Sequence, residues 1–200
     1  STRVEVSEAT VSVPTPPIRL ERVEGEFLYE YPRGIADGSL AARFEDQDIR
    51  LDLNLDTTDL GLSQKGFSIA TSARLGGADV NRLLGFTVPD GLLDGSSLFD
   101  IMFQAGEGVA LNVTSDLDGL AVGLPAPFSK SSEQRESLEI DLKILDALSI
   151  DAKYSNNLSL SIAQDAENAW RALASIGEVR SELTLDDVDA NTTVISGRLE

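Results

Sequence analysis

Between Asp48 and Leu55 apolar and polar residues alternate without a break. Ile49, Leu51, Leu53 and Leu55 fall on one side, and Asp48, Arg50, Asp52 and Asn54 on the other. Successive side chains of a strand point to opposite faces of a sheet, so this run predicts a half-buried strand. The same period of two recurs at Leu40, Ala42 and Phe44, at Phe67, Ile69 and Thr71, and at Phe99, Ile101 and Phe103. It continues at Val109, Leu111 and Val113, at Leu120, Val122 and Leu124, and at Leu138, Ile140, Leu142 and Ile144. Leu148, Ile150 and Ala152, then Leu158, Leu160 and Ile162, extend it further. Shorter versions stand at the start (Val4, Val6; Val11, Val13) and at the end (Ile195, Leu199).

Short strands at close spacing, separated by Gly, Asp, Asn and Ser, predict a mainly β chain built as an antiparallel meander. Asn156-Asn157 is read as a tight turn, since Asn tolerates positive φ. One or two short helices are expected. Asp79 reads as the cap of a helix through Val80, Leu83 and Leu84 that ends at Gly85. From Gln164 to Ile176 two stripes compete: Ala166, Ala169, Leu173 and Ile176 for a helix, Trp170, Ala172, Ala174 and Ile176 for a strand. The strand is the reading adopted. Breaks fall at Pro14 to Pro17, at Val88 to Ser97 and at Pro125 to Glu136; the last is long, polar and unpatterned and is expected to be a flexible loop. The whole of 1–200 is read as a single segment.

An apolar content of 42% with 25% charged residues is globular. The chain starts at Ser1 without Met and stops at Glu200 within a strand-like pattern, which leads to the expectation of an internal segment of something longer. No run approaches the ~18 apolar residues of a membrane span. The formal charge of −18 repels phosphate backbones and anionic bilayer surfaces, which argues against nucleic-acid binding and polybasic membrane docking. It suits a long sheet kept soluble and apart from its neighbours.

The absence of Cys and His excludes disulfides, thiolate zinc sites, cysteine nucleophiles, histidine bases and histidine metal ligands within this chain. Asp187, Asp189 and Asn191 begin like a calcium loop, but Thr192 stands where the turn glycine belongs and Arg198 where the bidentate Glu belongs. Glu24 and Glu26 form a carboxylate pair of a kind that abundant acid produces by chance. Gly76-Gly77 and Gly106-Glu107-Gly108 lack the strand–glycine–helix setting of a phosphate loop. Asn-x-Ser/Thr at Asn112, Asn157 and Asn191 is read as coincidence. Neither an enzyme nor a cofactor or metal site is expected.

What remains is the apolar face. Each inward residue covers roughly 33 Å² of sheet, so some twenty make a face of about 650 Å², more than a soluble monomer ordinarily leaves wet. Left in water, the four aliphatics from Ile49 to Leu55 alone forgo roughly 6–12 kcal/mol. The face therefore meets a second sheet, a helix or a ligand. A closed β-sandwich, acting as a spacer or interaction module of the cell envelope, is the alternative reading.

Several segments resemble the YhdP-type, AsmA-like, TamB-related envelope proteins of bacteria. VEGEFLYEYPRG (Val23 to Gly34) and GSLAARFEDQDIRLDL (Gly38 to Leu53) look like that family's recurring strand and the strand that returns from it. NVTSDLDGLAVGLPAPFSK (Asn112 to Lys130) is the most specific piece, a strand with Ser-Asp-Leu-x-Gly leading to Leu-Pro-x-Pro and a Lys. GSSLFDIMF (Gly95 to Phe103) matches the strand before it, and Phe128 departs from the Leu expected there. The resemblance covers about Val23 to Glu136 and matches the termini in pattern only.

It implies a long, curled, gutter-like sheet with a greasy inner surface. It implies the periplasmic part of a protein anchored in the inner membrane of a Gram-negative bacterium, carrying phospholipid towards the outer membrane. Expected partners are phospholipid acyl chains and neighbouring segments of the same long chain. The floor is expected at Leu40, Phe44, Ile49, Leu51, Leu53, Leu55, Phe67, Ile69, Phe99, Ile101, Phe103, Val109, Leu111, Val113, Leu120, Val122, Leu138, Ile140, Leu142, Leu158, Leu160 and Ile162, with the four phenylalanines as bulky contacts.

Overall fold

The computed structural model describes residues 1–13, 18–31, 34–54, 66–84, 89–106, 108–145, 147–155, 157–164, 170–177, 179–189 and 192–197; for residues 13, 81–84, 179–189 and 192–197 it describes the backbone alone. Leu55, the turn residue Asn156, Gly85, and Ala166 and Ala169 lie outside the described residues, as do Asn191 and Arg198 of the calcium-like stretch.

Long runs of alternation become long strands. The chain forms β1 (Thr2–Val13), β2 (Ile18–Glu30), β3 (Gly34–Phe44), β4 (Gln47–Asn54) and β5 (Phe67–Gly76), then the helix α1 (Gly77–Leu84). There follow β6 (Leu93–Ala105), β7 (Val109–Ser115), β8 (Leu120–Val122), β9 (Leu138–Ile144) and β10 (Leu148–Tyr154). β11 (Leu158–Gln164), β12 (Trp170–Ile176), β13 (Val179–Asp189) and β14 (Thr192–Gly197) complete the order. The segment from Gln164 to Ile176 thus ends in a strand, as its alternation indicated.

All pair antiparallel in one 14-stranded sheet that follows chain order, except that β7 pairs directly with β9 while β8 pairs back onto β6. The sheet is open: β1 and β14 are its two ends. The closed sandwich considered above is not formed among the described residues. The chain exposes 12999 Å², against about 9,100 Å² for a compact monomer of the same mass, because a single layer has two faces in contact with water.

Two glycines allow the sheet to hold its shape. Gly25 has φ +139°, and a Cβ there would sit 2.4 Å from the Ser39 carbonyl oxygen on β3. Gly95, at φ +90°, lets the start of β6 approach the Gly119 carbonyl before β8; a Cβ would stand 2.3 Å from it. The helix begins three residues earlier than a cap at Asp79 implies. Asp79 lies in the first turn, and its carboxylate accepts the Gly76 backbone N–H at 2.9 Å, the reaching-back half of a capping box.

Candidate functional site

The register joins the inward positions into rows that run across the strands. The most complete passes through Val4, Phe27, Gly38, Leu53, Ile69, Phe103 and Leu111. It continues through Leu142, Ile150, Ile162, Ala172 and Leu183 to Gly197. No position of this row carries a polar side chain, and its thirteen strands span about 58 Å at ~4.8 Å each. A neighbouring row runs through Thr71, Ile101, Val113, Ile140, Ala152, Leu160 and Ala174. Leu40 opposes Leu51, and Ala42 opposes Ile49, on the same face further along β3 and β4. On the other side Phe67, Ala105, Val109, Ile144 and Leu148 form the row at the sheet's rim. Phe67 and Phe103 stack at 6.2 Å between centroids with a 51° tilt.

These residues are covered unevenly. Leu51 and Leu53 are buried, Leu51 in a small core with Val23 and Ala42 against which Leu40, Ile49 and Ile69 pack. Phe44 and Phe99 are buried with Ala73, Leu75, Leu117, Leu120, Val122 and Tyr154, with Ile101, Val113, Leu138 and Leu158 packed alongside. Ile69, Phe67, Phe103, Val109, Leu111, Ile140, Leu142, Leu160 and Ile162 remain half-buried. Ala172, on β12 in the same row, is buried.

Leu120 and Val122, expected on the floor, are not there. They sit on β8, off the sheet path, and press onto floor residues from the excursion between β7 and β9. Phe44 and Phe99 are not exposed on the floor either: both are buried, in one cluster with Leu117, Leu120 and Val122 of the excursion.

The excursion, residues 116–137, contains most of the stretch of strongest family resemblance. Its unpatterned part, 125–136, is tied down by backbone bonds. Val122 and Lys130 exchange N–H···O bonds of 2.8 and 3.0 Å, Gly119 N–H donates to Ser132 O at 3.1 Å, and Glu136 N–H to Asp116 O at 3.0 Å. The Ala126-Pro127 bond is cis. Lys130 is only 4% exposed. Its ammonium donates to the carbonyls of Leu117 at 2.6 Å, Leu120 at 2.5 Å and Ser131 at 3.1 Å, one acceptor for each of its three protons. Burial lowers its pKa below the ordinary lysine range, with Asp118, Asp116 and Glu136 pulling the other way. Arg135 donates to Asp118 at 2.8 Å on the surface, and that bond raises its pKa. Tyr154 donates its hydroxyl to the Phe128 carbonyl at 3.0 Å.

The opposite face is polar. Beside the apolar row runs one through Glu5, Glu26, Ser39, Asp52, Ala70, Met102, Asn112, Asp141, Asp151 and Ser161. Asp141 and Asp151 oppose one another, which costs stability. Each is served from its other side, Asp141 by the Asn112 amide at 2.9 Å and Asp151 by the Ser161 hydroxyl at 2.5 Å. Two hollows lie over this polar side. The larger, about 810 Å³, is lined by residues including Arg3, Glu26, Asp37, Arg50, Asp52, Asn54 and Met102. The smaller, about 470 Å³, includes Asp48, Asp100 and Asn112. Arginines paired with carboxylates, as in Arg50–Asp52 at 2.7 Å and Arg3–Glu26 at 3.5 Å, suit water there and not hydrocarbon.

Among the described residues no group of three or more carboxylates is placed to hold a metal, and no helix is long and apolar enough to cross a membrane. No family model, curated protein or solved structure matches the chain.

Proposed function

We propose that this chain is a non-enzymatic segment of a conduit that carries phospholipid across the periplasm between inner and outer membrane. It is read as part of a YhdP-type, inner-membrane-anchored protein. The observation that carries the reading is the unbroken apolar row from Val4 to Gly197, half-buried over β5 to β11, where no second sheet is formed among the described residues. An apolar strip of that kind is costly in water at roughly 25 cal/mol per Å², and acyl chains are an occupant that removes the cost without chemistry or a shaped pocket. A uniform row offers no strong preference for one strand over the next, so a bound chain can slide along it. The polar face, acidic and ion-paired, keeps the outside of the conduit in water and repels neighbouring sheets.

The test is exchange. The purified chain is mixed with vesicles of zwitterionic phospholipid containing a fluorescent-tailed analogue and then separated by size. Analogue carried with the protein supports the proposal, and its complete retention in the vesicles contradicts it.

A further inference from the structure

The excursion between β7 and β9 covers only one side of the apolar floor. Its Leu117, Leu120, Val122 and Phe128 pack with Phe99, Leu138, Leu158 and Tyr154, at the ends of the strands furthest from the turns after β6 and β9. At the opposite rim nothing described lies over the floor. Tyr31 is 88% exposed, Ile144 45% and Leu145 54%, and Trp170 stands on that same side at the start of β12. The meander itself makes the two rims unlike, because odd and even connections fall on opposite sides.

Resting on the lipid reading above, we propose that residues 116–131 form an end-stop that orients the bound lipid. Tail ends point at Leu117 and Phe128, and headgroups emerge at the rim of Tyr31, Ile144 and Trp170. Depth agrees. Beyond the Ile101–Val113–Ile140 row, where Ile101 and Val113 pack against the excursion's cluster, the two remaining rows are about 14 Å deep, four strand rises, close to one leaflet, half of the ~30 Å hydrocarbon core. Area argues against a second copy as the occupant. The two uncovered rows over the six strands from β5 to β11 offer about 400 Å² of floor, under the ~800 Å² per partner of a stable interface. Tyr and Trp at the rim suit a boundary where a polar headgroup meets its apolar tail.

The experiment uses two phospholipids, one with a photoactivatable diazirine at the acyl terminus and one with it beside the ester, each loaded into the chain and crosslinked. Peptide mapping should find the terminal probe on the excursion and on the Val113–Ile140 row, and the ester-proximal probe on Ile144, Val109 and Trp170. The reverse order, or equal labelling of both rims by both probes, would overturn the end-stop while leaving lipid binding intact. No crosslink from either probe, or a lipid-free dimer in native mass spectrometry, would overturn the orientation and the conduit reading together.

Discussion

Tyr154, the last residue of β10, donates its hydroxyl proton to the carbonyl of Phe128, 3.0 Å away and 26 residues earlier in the chain. Through it the sheet holds the excursion by a contact distant in sequence. Burial, with Glu136 nearby, raises the Tyr154 pKa above its ordinary value of 10.0. A raised acid pKa means the folded state holds its proton longer than the unfolded chain does, so stability falls as pH climbs past about 10. Absorbance at 295 nm should resolve a tyrosine that ionises later than a free phenol. Tyr154→Phe should remove that late component and cost about 1 kcal/mol in urea unfolding; a variant that keeps it would reassign the signal.

Lys130 fastens the excursion to itself. Lys130→Met retains most of the stem's bulk and leaves three carbonyls, those of Leu117, Leu120 and Ser131, without their donor. A loss of about 2–4 kcal/mol is expected, read as a lower urea midpoint. Dye binding to the newly uncovered Phe99 and Leu138 should rise with it. An unchanged midpoint would mean that the carbonyls find other donors.

Gly95→Ala places a methyl group 2.3 Å from the Gly119 carbonyl at a φ of +90°. The pairing of β6 with β8 should be lost at a cost of about 2 kcal/mol or more. Hydrogen exchange at Leu120 to Val122 should then speed up while the amides of β9 to β11 stay protected. Protection lost throughout the sheet would show that β8 is integral to it.

Leu142 lies in the apolar row and Ser149 on the opposite face one strand away. Leu142→Asn should reduce carried lipid severalfold, and Ser149→Asn should leave it unchanged. Equal effects would detach lipid carriage from the apolar side.

The strands and the division of their residues between two faces were legible because period two needs no tertiary information: once Ile49, Leu51 and Leu53 share a face, so do their register partners. Leu120 and Val122 misled for the same reason. A three-residue Leu-Ala-Val run has the period of a floor strand, and alternation alone cannot tell the sheet from a strand laid on it. The ties of residues 125–136 were illegible because they bind through main-chain groups and through one lysine whose acceptors are carbonyls, which leave no mark on the pattern of residue types. The hollows over the polar side, with Arg50 beside Asp52, depend on how several strands come together in space, which the alternation does not encode.

The central claim is that the strip from Ile69 to Ile162 is covered by hydrocarbon that the polypeptide does not supply. Native mass spectrometry of the chain, extracted and purified without detergent, tests it most directly. The account predicts monomer carrying phospholipid, at least one molecule per chain. Protein of bare polypeptide mass, with the strip protected from solvent by its own chain or by a second copy, would contradict it.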